Sequence, residues 1–376
     1  MAHVKRPTAL VVSPVVPALT GNGLSMRAGV SLGALAREYR LSLLVVPRFF
    51  TVWGDQAPEE TRALCHEVAI RSEHAALTSS VAFEDAPFDL VHIFRRNTIP
   101  FGEPYLGDGA VTQAHLDLDD VESVSLQRIA ARFHARGLRQ DALQHEALAE
   151  EAARAERETL SRFDRVYVCA AADVATLPET VQSRAVVMPN VVSASLSLAP
   201  PAEESSDLLF VGTLGYFPNA DGAAWFAEEV LPMIRHQSPH PCSFQIVGVG
   251  MSPLVATLRS LPGVVVVGYV PDVTPWYARS QVVVVPLFAG GGTRIKILEA
   301  FALGRPVVST TMGAEGLAVE DECHLLLADD PVAFASACLR VMTDGRLRER
   351  LVENARSLVA ARYSLEVLAA VVAPSK

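Results

Sequence analysis

A chain of 376 residues exceeds the size at which one hydrophobic core usually keeps growing, so two domains of comparable size are expected. Half of the residues are hydrophobic and a fifth are charged, a balance that argues against intrinsic disorder. The formal net charge of −10 argues against broad contact with nucleic acid or an anionic lipid surface, although a local basic patch stays compatible with it.

Five cysteines (Cys65, Cys169, Cys242, Cys323 and Cys338) are scattered without metal-ligand spacing and cannot all pair, which fits core thiols in a reducing compartment. The apolar run from Thr8 to Pro17 is broken by Pro14 and followed by Thr20-Gly21-Asn22-Gly23, the pattern of a first strand and its loop rather than a secretory signal. No apolar run approaches the length of a membrane span. The expectation is a cytoplasmic protein, with peripheral membrane association left open.

Short apolar runs alternate with amphipathic segments through both halves, the signature of parallel strands connected by helices. Strands are expected at Ala9–Val12, Leu41–Val46, Asp89–Phe94, Arg165–Cys169 and Ala185–Met188, with a helix from Ser25 to Tyr39. The stretch from Leu126 to Phe163, rich in Ala, Arg and Glu, reads as one or two exposed helices on the first domain. Ser193 to Ser206 has no periodic pattern and reads as the linker, which gives domains of 1–195 and 196–362, with 363–376 crossing back to the first.

The second series opens with Leu208–Val211 and a helix marked by Ala223, Phe226, Val230 and Ile234 on one face. Strands follow at Phe244–Val247, Val264–Val267, Val282–Val285, Pro306–Ser309 and Leu325–Leu327, then helices at Pro331–Met342 and Gly345–Arg362. The expected fold is α/β, with two Rossmann-like, doubly wound domains facing each other across a cleft and ligands at the carboxyl ends of the strands.

In the segment from Pro286 to Val308, a buried strand runs into Gly290-Gly291-Gly292-Thr293-Arg294, and a helix opens at once. Glycines let backbone approach a ligand closely, and the free amides of a helix start bind anions. Arg294 and Lys296 sit at the positive end of that helix, where cations are unfavourable unless a polyanion is bound. An ordinary surface ion pair of Lys296 with Glu299 is the alternative. Glu299, flanked by Ile297, Leu298, Ala300 and Phe301, needs a partner, which a ribose diol or an arginine from elsewhere would supply.

From Leu208 to about Tyr363 the chain resembles the catalytic domain of retaining group 1 glycosyltransferases, family 4, of the GT-B fold. Besides the glycine-rich segment, the matching stretches are Phe210–Leu214, Asn219 with Val230-Leu231-Pro232, Ile246-Val247-Gly248, Gly268-Tyr269-Val270 and Gly313-Ala314-Glu315-Gly316-Leu317. The first half matches more loosely, through its opening strand and loop and through Val187–Asn190. In that family two glutamates eight positions apart commonly face the donor. Glu299 matches the second, while Gly291 stands at the first, as in a variant form with Gly-Gly-Gly-Thr-Arg.

The resemblance implies sugar transfer from a nucleoside diphosphate sugar to an acceptor that the sequence does not name, with retention and without an essential metal or other cofactor. Arg294, Lys296 and the amides of Gly291, Gly292 and Thr293 would hold the leaving diphosphate, and Glu299 the ribose. Asn22 and Gly23 would approach the phosphates from the first loop, where a plain turn is the alternative.

The carboxylate cluster His115-Leu116-Asp117-Leu118-Asp119-Asp120 follows a strand-like Ala110-Val111-Thr112, and related enzymes carry a histidine nearby. Asp119 or Asp120 is assigned to acceptor or donor-sugar contact, with capping of the next helix as the alternative. Alone, Asp-Leu-Asp-Asp-Val also resembles a haloacid-dehalogenase phosphatase motif with Asp117 as nucleophile, or the metal-binding Asp-x-Asp of GT-A transferases. A non-catalytic sugar-nucleotide binder and an epimerase are further alternatives. His115 and His92 are the histidine candidates for the cleft, His92 lying inside a strand. Arg95, Arg96 and Asn97, just past the end of that strand, read either as contacts to an anionic or hydroxyl-rich acceptor or as solvated loop residues.

Overall fold

The computed structural model describes residues 6–19, 23–47, 56–107, 111–192, 207–238, 240–292, 294–365 and 367–368. The linker expected over 193–206, together with Gly21, Asn22 and Thr293, lies outside the described residues. The backbone divides into two units. One comprises Met1–Val124, Leu148–Asn190 and Leu365–Lys376, the other Ser125–Ala147 and Val191–Ser364.

The first unit is built on seven strands: β1 (Thr8–Ser13), β2 (Arg40–Val45), β3 (Cys65–Ile70), β4 (Phe88–Phe94), β5 (Val111–Asp119), β6 (Arg165–Val168) and β7 (Ala185–Val187). All pairings are parallel, in the order β3-β2-β1-β4-β5-β6-β7. β1 is buried along its whole length, as an apolar strand covered on both faces should be. β3 has no counterpart among the expected strands, because its Cys-His-Glu-Val-Ala-Ile sequence is that of a half-buried edge strand. β5 is longer than the sequence suggests, so the segment from His115 to Asp119 is the strand itself rather than the loop after it.

The second unit carries β8 (Asp207–Val211), β9 (Ser243–Val247), β10 (Val264–Gly268), β11 (Ser280–Val285), β12 (Val307–Ser309) and β13 (Leu326–Leu327), all parallel, in the order β10-β9-β8-β11-β12-β13. Its first helix runs Phe217–Trp225, widens into a π turn at Phe226–Val230 and continues as Leu231–Gln237. Pro232 has no N–H for the carbonyl of Glu228, which accounts for the widened turn. Ala223, Phe226, Val230 and Ile234 are all fully buried, the face their spacing implies.

Residues 125–147 join the second unit, whereas the sequence pattern placed them on the first domain. They span the end of the helix Glu122–Ala135 and the start of the helix Arg139–Thr159. Their apolar side chains explain the placement: Phe133 stacks on Phe217 with ring centroids 3.8 Å apart, and Ile129, Phe133 and Ala142 cluster with Ala289. We refer to this segment as the strap. Cys169, Cys242 and Cys338 are buried thiols, but Cys65 and Cys323 are only half-buried, a departure from the expected core positions. Among the described residues no helix is long and apolar enough to cross a membrane.

His115 is not a cleft residue. The parallel register of β4 and β5 sets it beside His92, and both are buried, 5% and 2% exposed. With Tyr167 they form a group of three rings whose centroids lie 5.7–6.3 Å apart. Burial, then the Arg27 charge, lowers His92 to about 4, and burial, then His92, lowers His115 to about 3. The folded chain thus keeps both rings neutral while the unfolded chain protonates near the ordinary value of 6.5. Stability fully present above pH 6.5 is therefore lost as pH falls toward 4, by at most about 1.4 kcal/mol per pH unit for each ring. Urea unfolding at pH 7 and pH 5 should show this loss, and His92→Phe should shrink it. An unchanged loss in that variant would separate acid sensitivity from His92.

Candidate functional site

Ligands of open parallel sheets bind where the strand order reverses, beyond the carboxyl ends of the strands. In the second unit that point lies between β8 and β11, and the two segments leaving these strands are Gly212–Tyr216 and Pro286–Arg294. Gly290 and Gly292 adopt φ values of +105° and +66°, which side chains other than glycine rarely tolerate. Arg294 then folds back on the loop. Its Nη1 donates to the carbonyls of Gly291 and, at 3.0 Å, Gly292, and its Nη2 lies 3.5 Å from that of Ala289. The helix Ile295–Ala302 opens directly after it, with no side chain capping its first turn.

Lys296 turns toward β8. Its Nζ donates to Asn219 Oδ1 at 2.7 Å and lies 4.3 Å from the centre of the Phe210 ring. Asn219 is held in turn, its Nδ2 donating to the Thr213 carbonyl at 3.0 Å. Gly212 makes room for this arrangement, since a Cβ there would lie 2.8 Å from Nζ. Burial, then the nearby Arg294 charge, lowers the Lys296 pKa to about 7. Glu299 Oε2 accepts from the buried Tyr277 hydroxyl at 3.2 Å, and burial pushes this carboxyl up to about 7.

Both alternatives for this segment are therefore corrected. Lys296 meets Asn219 rather than Glu299 in a surface ion pair, and Glu299 meets a tyrosine rather than an arginine. Tyr277 carried no signal in the sequence, because it sits in the short helix Thr274–Arg279 with nothing in its spacing to point at Glu299.

The strap reaches the same glycine loop. Arg128 holds Glu315 bidentately, Nη1 to Oε2 at 2.5 Å and Nη2 to Oε1 at 2.9 Å, and its Nη1 also donates to the Gly290 carbonyl at 3.2 Å. Ser125 Oγ lies 3.3 Å from the Tyr216 hydroxyl. Arg132 donates to Asp221 at 2.6 Å while its guanidinium covers the Phe288 ring at 4.3 Å, and Arg136 takes the other Asp221 oxygen. Read as a surface helix, this segment gave no hint of these contacts.

In the first unit, Arg95 and Asp119 end neighbouring strands with φ of +71° and +63°. Asp119 Oδ1 accepts from Cys169 Sγ at 2.9 Å, and its Oδ2 lies 3.5 Å from Arg95 Nη1. Arg95 also donates to Asp120 and, at 2.9 Å, to the Leu118 carbonyl, while Arg96 pairs with Glu122. Asp117 is fully buried and held by Arg27 at 2.7 Å, which removes it as a phosphatase nucleophile. Gly23 opens the helix Gly23–Glu38. Thus Gly291, Gly292, Arg294, Lys296 and Glu299 come together in the second unit, whereas Asp119, Asp120 and Gly23 belong to the first. Among the described residues no group of three or more His, Cys, Asp or Glu side chains is placed to hold a metal ion.

Asp221 is 1% exposed and carries two arginines of the strap. Asp221→Ala leaves both without their carboxylate and should cost about 3 kcal/mol in denaturant unfolding, the usual scale for breaking a buried pair from one side. A loss below about 1 kcal/mol, the scale of a solvent-exposed pair, would mean the strap is held by its apolar contacts alone.

Residues 205–344 match the family model described as Glycosyl transferases group 1. A 165-residue stretch is 24% identical to an uncharacterized 44.6 kDa protein of the cps region of Klebsiella pneumoniae, covering 42% of this chain and 42% of that protein. Among solved structures, the chain is similar to sucrose-phosphate synthase of Thermosynechococcus elongatus, with 18% identity, 97% of each chain covered and a TM-score of 0.67. It is similar also to HepE of Anabaena in complex with UDP and glucose, with 14% identity, 97% of each chain covered and a TM-score of 0.68. A UDP-forming trehalose-phosphate synthase of Burkholderia xenovorans follows at 11% identity, 96% and 98% coverage and a TM-score of 0.61. The chain has the GT-B fold of two Rossmann-like domains, and the part that matches the group 1 glycosyltransferase model, residues 205–344, contains the glycine loop, Arg294, Lys296 and Glu299.

Proposed function

We propose that this chain transfers a hexosyl group from a nucleoside diphosphate sugar to an acceptor, with retention at the anomeric carbon and without an essential metal, as a family 4 enzyme of the Gly-Gly-Gly-Thr-Arg variant. One observation carries the reading. Arg294 and Lys296 stand together at the positive end of an uncapped helix, and burial holds the lysine near half-protonation. A diphosphate bound at this helix start would meet the free amides and the Lys296 ammonium together. The structurally similar proteins that bind UDP or form it support a uridine nucleotide as donor.

In this proposal the bond from the anomeric carbon to the diphosphate oxygen breaks, and Lys296, Arg294 and the amides around Gly291, Gly292 and Thr293 stabilise the charge that develops on the leaving group. Glu299, oriented by Tyr277, accepts from the ribose hydroxyls. Asn22 and Gly23 are given to the phosphates, and Asp119 or Asp120 to the acceptor or donor sugar. The acceptor is any hydroxyl-bearing molecule that meets this site.

Because burial, then the Arg294 charge, depresses the Lys296 pKa to about 7, binding a diphosphate should draw a proton onto it. Calorimetry at pH 7.5 in buffers of different ionisation enthalpy should show proton uptake in the wild type and none in Lys296→Ala. The same variant should lose about 10²-fold or more in turnover at saturating donor, the scale for one transition-state donor. Turnover at the wild-type rate would remove the clamp. Glu299→Ala should weaken the bare nucleoside diphosphate as well as the donor, and normal diphosphate binding by the folded variant would refute the ribose role. Activity should also persist in chelator, whereas complete loss restored by magnesium would replace fixed cations with a metal.

A further inference from the structure

We propose that Glu315 is the carboxylate that recognises the hydroxyls of the transferred sugar, and that Arg128 of the strap is its positioning residue. The inference rests on the donor reading above and adds the subsite that reading leaves without a side chain. Along the site the order of charges is carboxylate, cations, carboxylate. Glu315 is fixed through Arg128 to the Gly290 carbonyl, Arg294 and Lys296 follow at the start of the helix, and Glu299 lies one turn beyond with Tyr277. A nucleoside diphosphate sugar has the matching order of sugar diols, polyanion and ribose diol. With the cations on the diphosphate and Glu299 on the ribose, the sugar falls at the Gly290 end.

The loop offers no carboxylate of its own there, since positions 290 to 292 are all glycine. Glu315 meets the chemical requirement. A carboxylate has about four acceptor directions, the Arg128 fork uses two, and the Glu315 side chain is 40% exposed. Holding the strap does not explain the pair. The buried Asp221, with its two arginines, and the Phe133–Phe217 stack already do that, and a pair as open as Arg128–Glu315 adds little stability. What Arg128 does accomplish is geometric, because one nitrogen fixes both the carboxylate and the carbonyl of Gly290.

The test compares affinities for UDP, GDP and ADP with those for UDP-glucose, GDP-mannose and ADP-glucose by calorimetry, with thermal unfolding run in parallel to establish that each variant is folded. Glu315→Gln keeps the side-chain volume. It should bind the preferred diphosphate within about twofold of wild type yet lose about tenfold or more for the sugar conjugate, the scale of a hydrogen bond to a charged group. Arg128→Ala should produce the same selective loss, and the double variant should be no worse than either single one, since the two act as one unit. A purely structural pair would lower the unfolding temperature and leave the ratio of the two affinities unchanged. Glu315→Gln that binds the sugar conjugate as wild type does, or that weakens diphosphate and conjugate equally, overturns the assignment. If the wild type binds none of the six ligands, the donor reading itself fails, and this inference with it.

Discussion

The organisation of the second unit follows from keeping two cations together at the positive end of a buried helix. Like charges repel, the helix dipole opposes them, and burial removes the water that would screen them. The protein answers with neutral dipoles. Arg294 is wrapped by the carbonyls of its own glycine loop, and Lys296 meets an amide oxygen and an aromatic face. A carboxylate hydrogen-bonded to Lys296 would stabilise the free protein better, but it would compete with an anionic ligand for the same charge. Dipoles lower the cost without cancelling it: burial, then the Arg294 charge, still depresses the Lys296 pKa. Gly212, Gly290 and Gly292 are needed by this solution, one for space and two for backbone conformation.

Much of this was legible in the sequence because it is local. Parallel strands announce themselves as apolar runs, and the glycine segment with Arg294, Lys296 and Glu299 is one continuous stretch whose strand, loop and helix can be read in order. What stayed hidden depends on contacts between distant residues. Tyr277 and Asn219 reach the helix at Ile295 from other elements, and neither spacing nor composition encodes that meeting. The strap is hidden in the sequence for a related reason. Its Arg, Ala and Glu content is that of a solvated helix, and only the facing Phe217, Asp221 and Glu315 reveal that its arginines have fixed partners. β3 and the full length of β5 escaped because polar residues at sheet edges and strand ends blur the alternating pattern.

The first unit handles buried charge in the opposite way, and the contrast separates scaffold from site. Arg27 is compensated by a full carboxylate, Asp117, with Nη1 donating to the Met188 carbonyl and Asn190 Oδ1. Such a network is closed: its charges are cancelled within the fold, and it ties the helix Gly23–Glu38 to β5 and to the chain after β7. This pair, fully buried on both sides, is structural. By the same criterion Lys296 is open, since its charge has no carboxylate to cancel it within hydrogen-bond distance among the described residues.

Asp119 and Asp120 stand between these cases. Asp119 has Arg27 and Arg95 within reach, yet burial outweighs both and pushes its carboxyl above the ordinary aspartate range. Its backbone, like that of Arg95 at the end of the adjacent strand, is held at positive φ, a conformation that costs a non-glycine residue about 1 kcal/mol or more and persists only where the surroundings impose it. Two such residues at neighbouring strand ends, joined through one guanidinium, fix the direction of both carboxylates more tightly than the fold of β4 and β5 demands. A capping role for the following helix would not require that strain, because an aspartate caps a helix from ordinary extended backbone. The strain is accounted for when the carboxylates must point one way for a ligand, which is the argument for proposing Asp119 or Asp120 as a contact to the acceptor or the donor sugar.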